Sequence, residues 1–193
     1  IGQMDAGLAV TNGGALVFDG INLFATPFTF NASRNITFKN AKLLHNDYHD
    51  LHLGGTYDGH GNFIWSSHGL RFINNEIAYN YRPAFNMGKR GDEWGGWWPT
   101  DILFENNYMH DGQIYASHNG GPFSWRTSEM TAVRNTLDNY GFGGLGRIAG
   151  GSHLELNYVN NANYGWDTAG IQMNQIINSV NIQRNWIFNT KRN

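Results

Sequence analysis

Short runs of alternating apolar and polar residues recur along the chain, each broken by asparagine or glycine and then resumed. They include "NITFKNAKLLHN" (35–46), "GLRFINNEIAYN" (69–80), "DILFENNYMHDG" (101–112), "EMTAVRNTLDNYG" (129–141), "SHLELNYVNNAN" (152–163) and "VNIQRNWIFNT" (180–190). Period-two alternation of this length predicts short strands with one buried face, and the interruptions predict corners. Superimposing the blocks gives a column of Ala41, Asn75, Asn107, Asn135, Asn157 and Asn185, at spacings of 34, 32, 28, 22 and 28 residues. Two places further on, the column Leu43, Ile77, Met109, Leu137, Val159 and Ile187 is apolar throughout.

Coils of this length, each holding several short strands, predict a parallel β-helix in which equivalent strands stack about 4.8 Å apart. Aligned asparagines suit its corners, because asparagine tolerates left-handed backbone and its amide can hydrogen-bond from coil to coil. A leucine-rich consensus is missing, and so is a regular four-strand blade with a Trp-Asp signature. Residues 1–193 therefore read as one all-β solenoid domain of about six to eight coils. The last block begins a coil that nothing after it completes. The ending reads as a cut in a longer chain, whose remainder is then a missing partner, and the start is open to the same reading.

Composition sharpens this picture. The chain carries 26 Asn and 25 Gly, too many turn formers for a helical protein. Aromatics at 15% exclude a disordered low-complexity segment. The net charge of −2 offers no basic field for nucleic acid. There are no cysteines, hence no disulfides and no thiolate metal site. Neither a long apolar span nor a signal-like start is visible, so no membrane span is expected.

The stretches "FENNYMHDG", "DTAGIQ" and "NIQRNWIFNT" resemble the right-handed parallel β-helix superfamily. Within it, they are similar to bacterial secreted carbohydrate-active proteins, the polysaccharide lyases and β-helical glycoside hydrolases. The resemblance covers residues 31–193 and implies a polysaccharide partner and an extracellular or periplasmic location. It implies no required cofactor, although calcium is frequent among such lyases. In those proteins a similar Asp-x-Ala-Gly-Ile stretch lines a long groove, which makes Asp167 the first candidate acid.

The residues themselves suggest further candidates. Uneven coil lengths predict that 47–68, 81–100, 112–128 and 164–178 leave the coil as surface loops. Six of the seven Trp fall in connecting segments: Trp65, Trp94, Trp97, Trp98, Trp125 and Trp166. Indole stacks on the apolar face of a sugar ring, so these residues, with Arg126 beside Trp125, are candidates for substrate binding; each could equally pin its loop. "AFNMG", "ASHNG", "LGRIAG" and "GIQMN" align Asn86, His118, Arg147 and Gln172 in one polar column, either a ligand-facing strand or a solvated ladder. His110 and Asp138 share another column, an Asp–His arrangement that serves as a general base or as a corner hydrogen bond.

The loop "MGKRGDEWGGWWP" sets Lys89 and Arg90 beside Asp92 and Glu93, able to neutralise a uronate or to protonate a glycosidic oxygen. "HNDYHDLH" gathers His45, Asp47, His49, Asp50 and His52, a spacing that fits no zinc signature; it reads first as a solvated polar loop and, second, as a source of oxygen ligands for calcium. The expected function is to bind and cleave a polysaccharide, with hydrolysis slightly preferred over uronate elimination. The hydrolytic pair would be Asp167 with Glu93, Asp111 or Asp138. The alternative is a non-catalytic carbohydrate binder or structural β-helix, such as an adhesin, appendage or tailspike-like stalk.

Overall fold

The computed structural model describes residues 8–26, 28–31, 33–45, 51–52, 56–57, 63–65, 67–80, 85–86, 100–112, 123–124, 129–140, 145–148, 151–161, 170–173 and 179–190. Among them are twenty-three strands and no helix. Three parallel sheets carry the architecture. The first contains Leu8–Thr11, Phe28–Asn31, Leu51–His52, Phe85–Asn86 and Phe123–Ser124. The second runs through Val17–Asp19, Thr37–Lys39, His68–Ile73, Thr100–Glu105, Met130–Val133, His153–Glu155 and Asn181–Gln183. The third takes Asn22–Phe24, Lys42–Leu44, Glu76–Ala78, Tyr108–His110, Thr136–Asp138, Tyr158–Asn160 and Trp186–Phe188. Each strand pairs with its counterpart one coil away, which makes the fold a parallel β-helix.

The aligned columns of the sequence are the registers of this stack. Leu23, Leu43, Ile77, Met109, Leu137, Val159 and Ile187 are successive Cα partners on the third sheet. On the second sheet the inward column is Phe18, Phe38, Phe72, Phe104, Ala132, Leu154 and Ile182. The two columns meet in a core whose early coils are filled by phenylalanine. Phe28 stacks on Phe38 at 5.3 Å and Phe72 on Phe104 at 5.0 Å. Each such ring contributes about 1.5–3 kcal/mol by leaving water.

At the corner between the second and third sheets the asparagines form a ladder. Asn75 Oδ1 accepts from the Ala41 backbone N–H, Asn107 Oδ1 from Asn75, Asn135 Oδ1 from Asn107, Asn157 Oδ1 from Asn135 and Asn185 Oδ1 from Asn157. Each side-chain amide also donates back to a carbonyl of the preceding coil, such as Asn107 Nδ2 to Phe72 O at 2.9 Å. Every coil therefore satisfies a buried backbone group of its neighbour.

Two expectations need correction. The stacked asparagines are not the left-handed residues; the residues just before them are, namely Asn40, Asn74, Asn106, Arg134, Leu156 and Arg184. Left-handed backbone at this place lets the N–H reach the next coil, as Asn74 N does to Glu105 O at 3.0 Å. A second left-handed column follows the third sheet, with His45, Tyr79, Asp111, Asn139, Asn161 and Asn189. A third lies where the chain enters the second sheet, and there Gly69 is favoured: φ is +67° and a Cβ would come within 2.5 Å of Asn35 Oδ1.

The second correction concerns the supposed surface loops. Residues 51–52, 85–86 and 123–124 are strands of the first sheet and belong to the body of the coil. Thr56–Tyr57 pairs antiparallel with Phe63–Trp65, a local departure from the coil.

Candidate functional site

The outward face of the third sheet is made of two columns. One reads Asn22, Lys42, Glu76, Tyr108, Thr136, Tyr158 and Trp186; the other reads Phe24, Leu44, Ala78, His110, Asp138, Asn160 and Phe188. Side chains alternate across a strand, so these positions point away from the core. Tyr108 and Tyr158 stay 43% and 41% exposed although both lie on coils flanked on either side, and Tyr79, at the adjoining corner, is 42% exposed. Between the two strand tyrosines lies one coil bearing Thr136. Their spacing is therefore about 10 Å, two strand repeats.

His110 is the centre of this face. Its ring lies 4.1 Å from that of Tyr108 at an interplanar angle of 18°, and Tyr79 meets it edge-on at 5.5 Å. His45 stacks on the other side of Tyr79 at 4.8 Å, and Phe24 continues the row at 4.9 Å. Asp111 Oδ2 lies 2.9 Å from His110 Nδ1, and Glu76 Oε1 lies 3.5 Å from His110 Nε2. His110 thus bridges two carboxylates, and its imidazole fills the space between them.

The carboxylates are held in place from both sides. Lys42 Nζ contacts Glu76 Oε2 at 2.7 Å, and Asn139 Nδ2 donates to Asp111 Oδ1 at 2.5 Å. Asp138 accepts from Asn160 Nδ2 at 2.9 Å and Asn161 Nδ2 at 3.3 Å. The Lys42 hydrogen bond, chiefly, holds the Glu76 carboxyl below its ordinary value, with His110 adding to it. Hydrogen bonds from His110 and then Asn139 do the same for Asp111. Both are thus fixed as anions, suited to act as base or nucleophile rather than as acid. Burial, and then the charges of Asp138, Asp111 and Glu76, push the Tyr108 hydroxyl up, so the field at this tyrosine is negative. The corner carrying Asp111 is closed by Gly112, where a Cβ would meet the buried Tyr140 ring at 2.4 Å.

The candidates read from sequence fall into three groups. His110 and Asp138 are Cα partners as aligned. The acid that contacts His110 is nevertheless Asp111, next in sequence and freed by its left-handed corner to turn back; Asp138 turns instead to Asn160 and Asn161. Arg147 and Gln172 lie on the paired strands Leu145–Ile148 and Ile171–Met173, and Asn86 on Phe85–Asn86. The partner of Asn86 is Ser124 and not His118, so the aligned polar column does not hold: its second coil enters the sheet six residues later. Asp167, His118, Glu93, Asp92, Lys89, Arg90, Trp94, Trp97, Trp98, Trp125, Arg126 and Trp166 lie outside the described residues.

Of the stretch 45–52, His45 is committed to the ring stack and His52 lies on the strand Leu51–His52, while Asp47, His49 and Asp50 fall outside the described residues. No group of three His, Asp or Glu able to hold a metal occurs among the described residues. Nor is any described helix long and apolar enough to cross a membrane. Glu76, Tyr79, Tyr108 and Tyr158 are site residues that sequence reasoning missed. Glu76, Tyr108 and Tyr158 stand directly after stacked asparagines, in a column that Thr136 completes, but this exposed column repeats no residue type that would mark it. Comparison of the chain with protein-family models, curated proteins and solved structures finds no match in any of the three.

Proposed function

We propose that this protein binds a polysaccharide laid along the outward face of the third sheet, parallel to the solenoid axis. The observation that carries this reading is the row of exposed tyrosines Tyr79, Tyr108 and Tyr158, on coils with neighbours on both sides. Large exposed rings are costly in water unless something covers them, and the apolar face of a sugar ring is a fitting cover. Between the rings, Glu76, Thr136, Asp138 and Asn160 offer acceptors and donors for sugar hydroxyls. The backbone register fixes their spacing, so little ordering is required on binding. A polymer of this kind is met outside the cytoplasm, and an extracellular or periplasmic location belongs to the same proposal.

Cleavage is a second reading, favoured by one arrangement: the ionised carboxylates Glu76 and Asp111, both in contact with His110. An ionised pair supplies a nucleophile or base, and hydrolysis further requires a proton donor to the leaving oxygen. Uronate elimination is less favoured, because the carboxylates of this face repel an anionic polymer.

Affinity electrophoresis against a panel of neutral, cationic and uronate polysaccharides tests the binding reading. Retardation by at least one polymer, reduced roughly tenfold in affinity by Tyr108→Ala or Tyr158→Ala, is expected. Retardation indifferent to both substitutions would sink it. Incubation with the bound polymer then separates the enzyme classes. New reducing ends alone mark a hydrolase, and absorbance from an unsaturated uronate marks a lyase. Binding with neither assigns the protein to the non-catalytic carbohydrate binders.

A further inference from the structure

Resting on the polysaccharide-binding reading, we infer that the polymer is cationic: it carries protonated amino groups that lie against Asp111 and Asp138. The charge balance of the two outward faces is the starting point. On the second sheet, Asp19, Asp101, Glu105 and Glu155 each have a Lys or Arg partner, namely Lys39, Arg71, Arg134 and Arg184. On the third sheet and its corner, Glu76, Asp111 and Asp138 face a single ammonium among the described residues, Lys42, which is engaged by Glu76. Among the described residues, Asp138 is held only by the amides of Asn160 and Asn161, and Asp111 by Asn139 and His110. Amides orient a carboxylate without cancelling its charge, so two fixed anions remain open to a cation.

A second observation points the same way. His110 is 7% exposed, and its Nε2 makes no hydrogen bond; its polar neighbour is the Glu76 carboxylate at 3.5 Å. Ionised Asp111 can only accept, so Nδ1 carries the hydrogen, and Nε2 can offer Glu76 a hydrogen only as the imidazolium. Even a protonated His110 leaves three anions against two cations. The raised Tyr108 hydroxyl reports the same negative field, with Asp138 its leading charged cause. Amino-sugar residues stacked on Tyr108 and Tyr158 would bring ammonium groups beside Asp111 and Asp138 at the coil spacing, whereas uronates would bring carboxylates there.

The test measures calorimetric affinity of the full chain for three probes at about pH 5.5, where these carboxylates are ionised. The probes are oligomers of glucosamine, of its neutral N-acetylated form with the same backbone, and of galacturonate. Glucosamine oligomers should bind on the order of tenfold or more tightly than the N-acetylated ones, with an affinity that falls as salt rises. Asp138→Asn, which keeps the shape and the one oxygen that accepts from Asn160 and Asn161, and Asp111→Asn, which keeps the shape but gives up one of two acceptors, should each remove most of that preference, with a far smaller change in affinity for the neutral oligomer. Asp101→Asn, on the opposite sheet, should change nothing. Equal binding of charged and neutral oligomers, or a preference for galacturonate, overturns the cationic inference while leaving the polysaccharide reading intact. Failure to bind any glycan in the wider panel overturns both.

Discussion

The second and third sheets present outward faces built on the same seven-coil stack, yet the two faces are completed differently. On the second, charges close on one another between coils. Asp19 meets Lys39 at 3.0 Å, Arg71 grips both Asp101 oxygens at 2.9 Å, Arg134 reaches Glu105, and Arg184 lies 3.4 Å from Glu155. On the third, rings lie beside carboxylates held by asparagine amides, and the tyrosines stay open to water. Parallel stacking brings side chains of one column together about every 4.8 Å whatever they are. Opposite charges on neighbouring coils make a self-satisfied wall; aromatic and like-charged residues make a surface left for a ligand.

The largest expected effect concerns the scaffold shared by both faces. Asn107→Ala removes the acceptor for the Asn75 N–H and the donor to Phe72 O, both buried. Stranding these groups should lower the unfolding free energy by about 2–4 kcal/mol. Asn74→Ala, next to the ladder but exposed, with its side chain bonded to Asn40 at 3.3 Å, should cost about 1 kcal/mol, chiefly the strain of alanine in left-handed backbone. Urea titration of both variants checks the contrast, and equal losses would show that the ladder adds nothing beyond a surface amide.

Next comes the open face. Tyr108→Ala should weaken polysaccharide binding by about 1–2 kcal/mol, close to tenfold, since truncating an aromatic anchor is the common form of a binding hot spot. Thr131→Ala, on the second sheet, should leave affinity unchanged. If both faces respond alike in calorimetry, the distinction between wall and ligand surface is lost.

What the sequence made legible follows from burial. The columns from Asn75 to Asn185 and from Leu43 to Ile187 could be aligned because a closed core restricts each place to one residue type. Two-residue strands such as Phe85–Asn86 are too short for alternation to appear, so the first sheet went unseen and the His118 register came out wrong. The column Lys42, Glu76, Tyr108, Thr136, Tyr158 lies beside the best-marked column in the chain, yet exposed positions may hold any residue, and no pattern sets them apart. Asp111 against His110 depends on a left-handed corner, a backbone property that Asp shares with the Tyr79 and His45 of its column.

A smaller effect tests the closed face. Arg71→Ala removes a bidentate contact to Asp101 whose two side chains are 32% and 56% exposed. Water and salt screen such a pair, so the expected loss is about 0.2–1 kcal/mol, shrinking as ionic strength rises. Glycan affinity should not move. A loss above this range, or one insensitive to salt, would mean that the pair braces the coil and is more than surface neutralisation.

The smallest effect is a pH dependence, and its sign follows from the two depressed carboxyls. Glu76 lies below its ordinary 4.5 through Lys42 and then His110, and Asp111 below 3.8 through His110 and then Asn139. In the unfolded chain both groups bind protons more readily than in the folded one. Their contribution to stability is therefore complete above those ordinary values and is lost as pH falls through the lower folded ones. Urea midpoints should decline on acidification below about pH 4.5. Glu76→Gln together with Asp111→Asn should flatten that decline, having no proton to take up. Asp19, lowered by Asn40 and then Lys39, adds to the same limb from the second sheet, so the double variant should flatten the curve only in part. An acid limb identical in the double variant would place the titrating groups elsewhere and detach the Glu76–His110–Asp111 cluster from the stability of its own face.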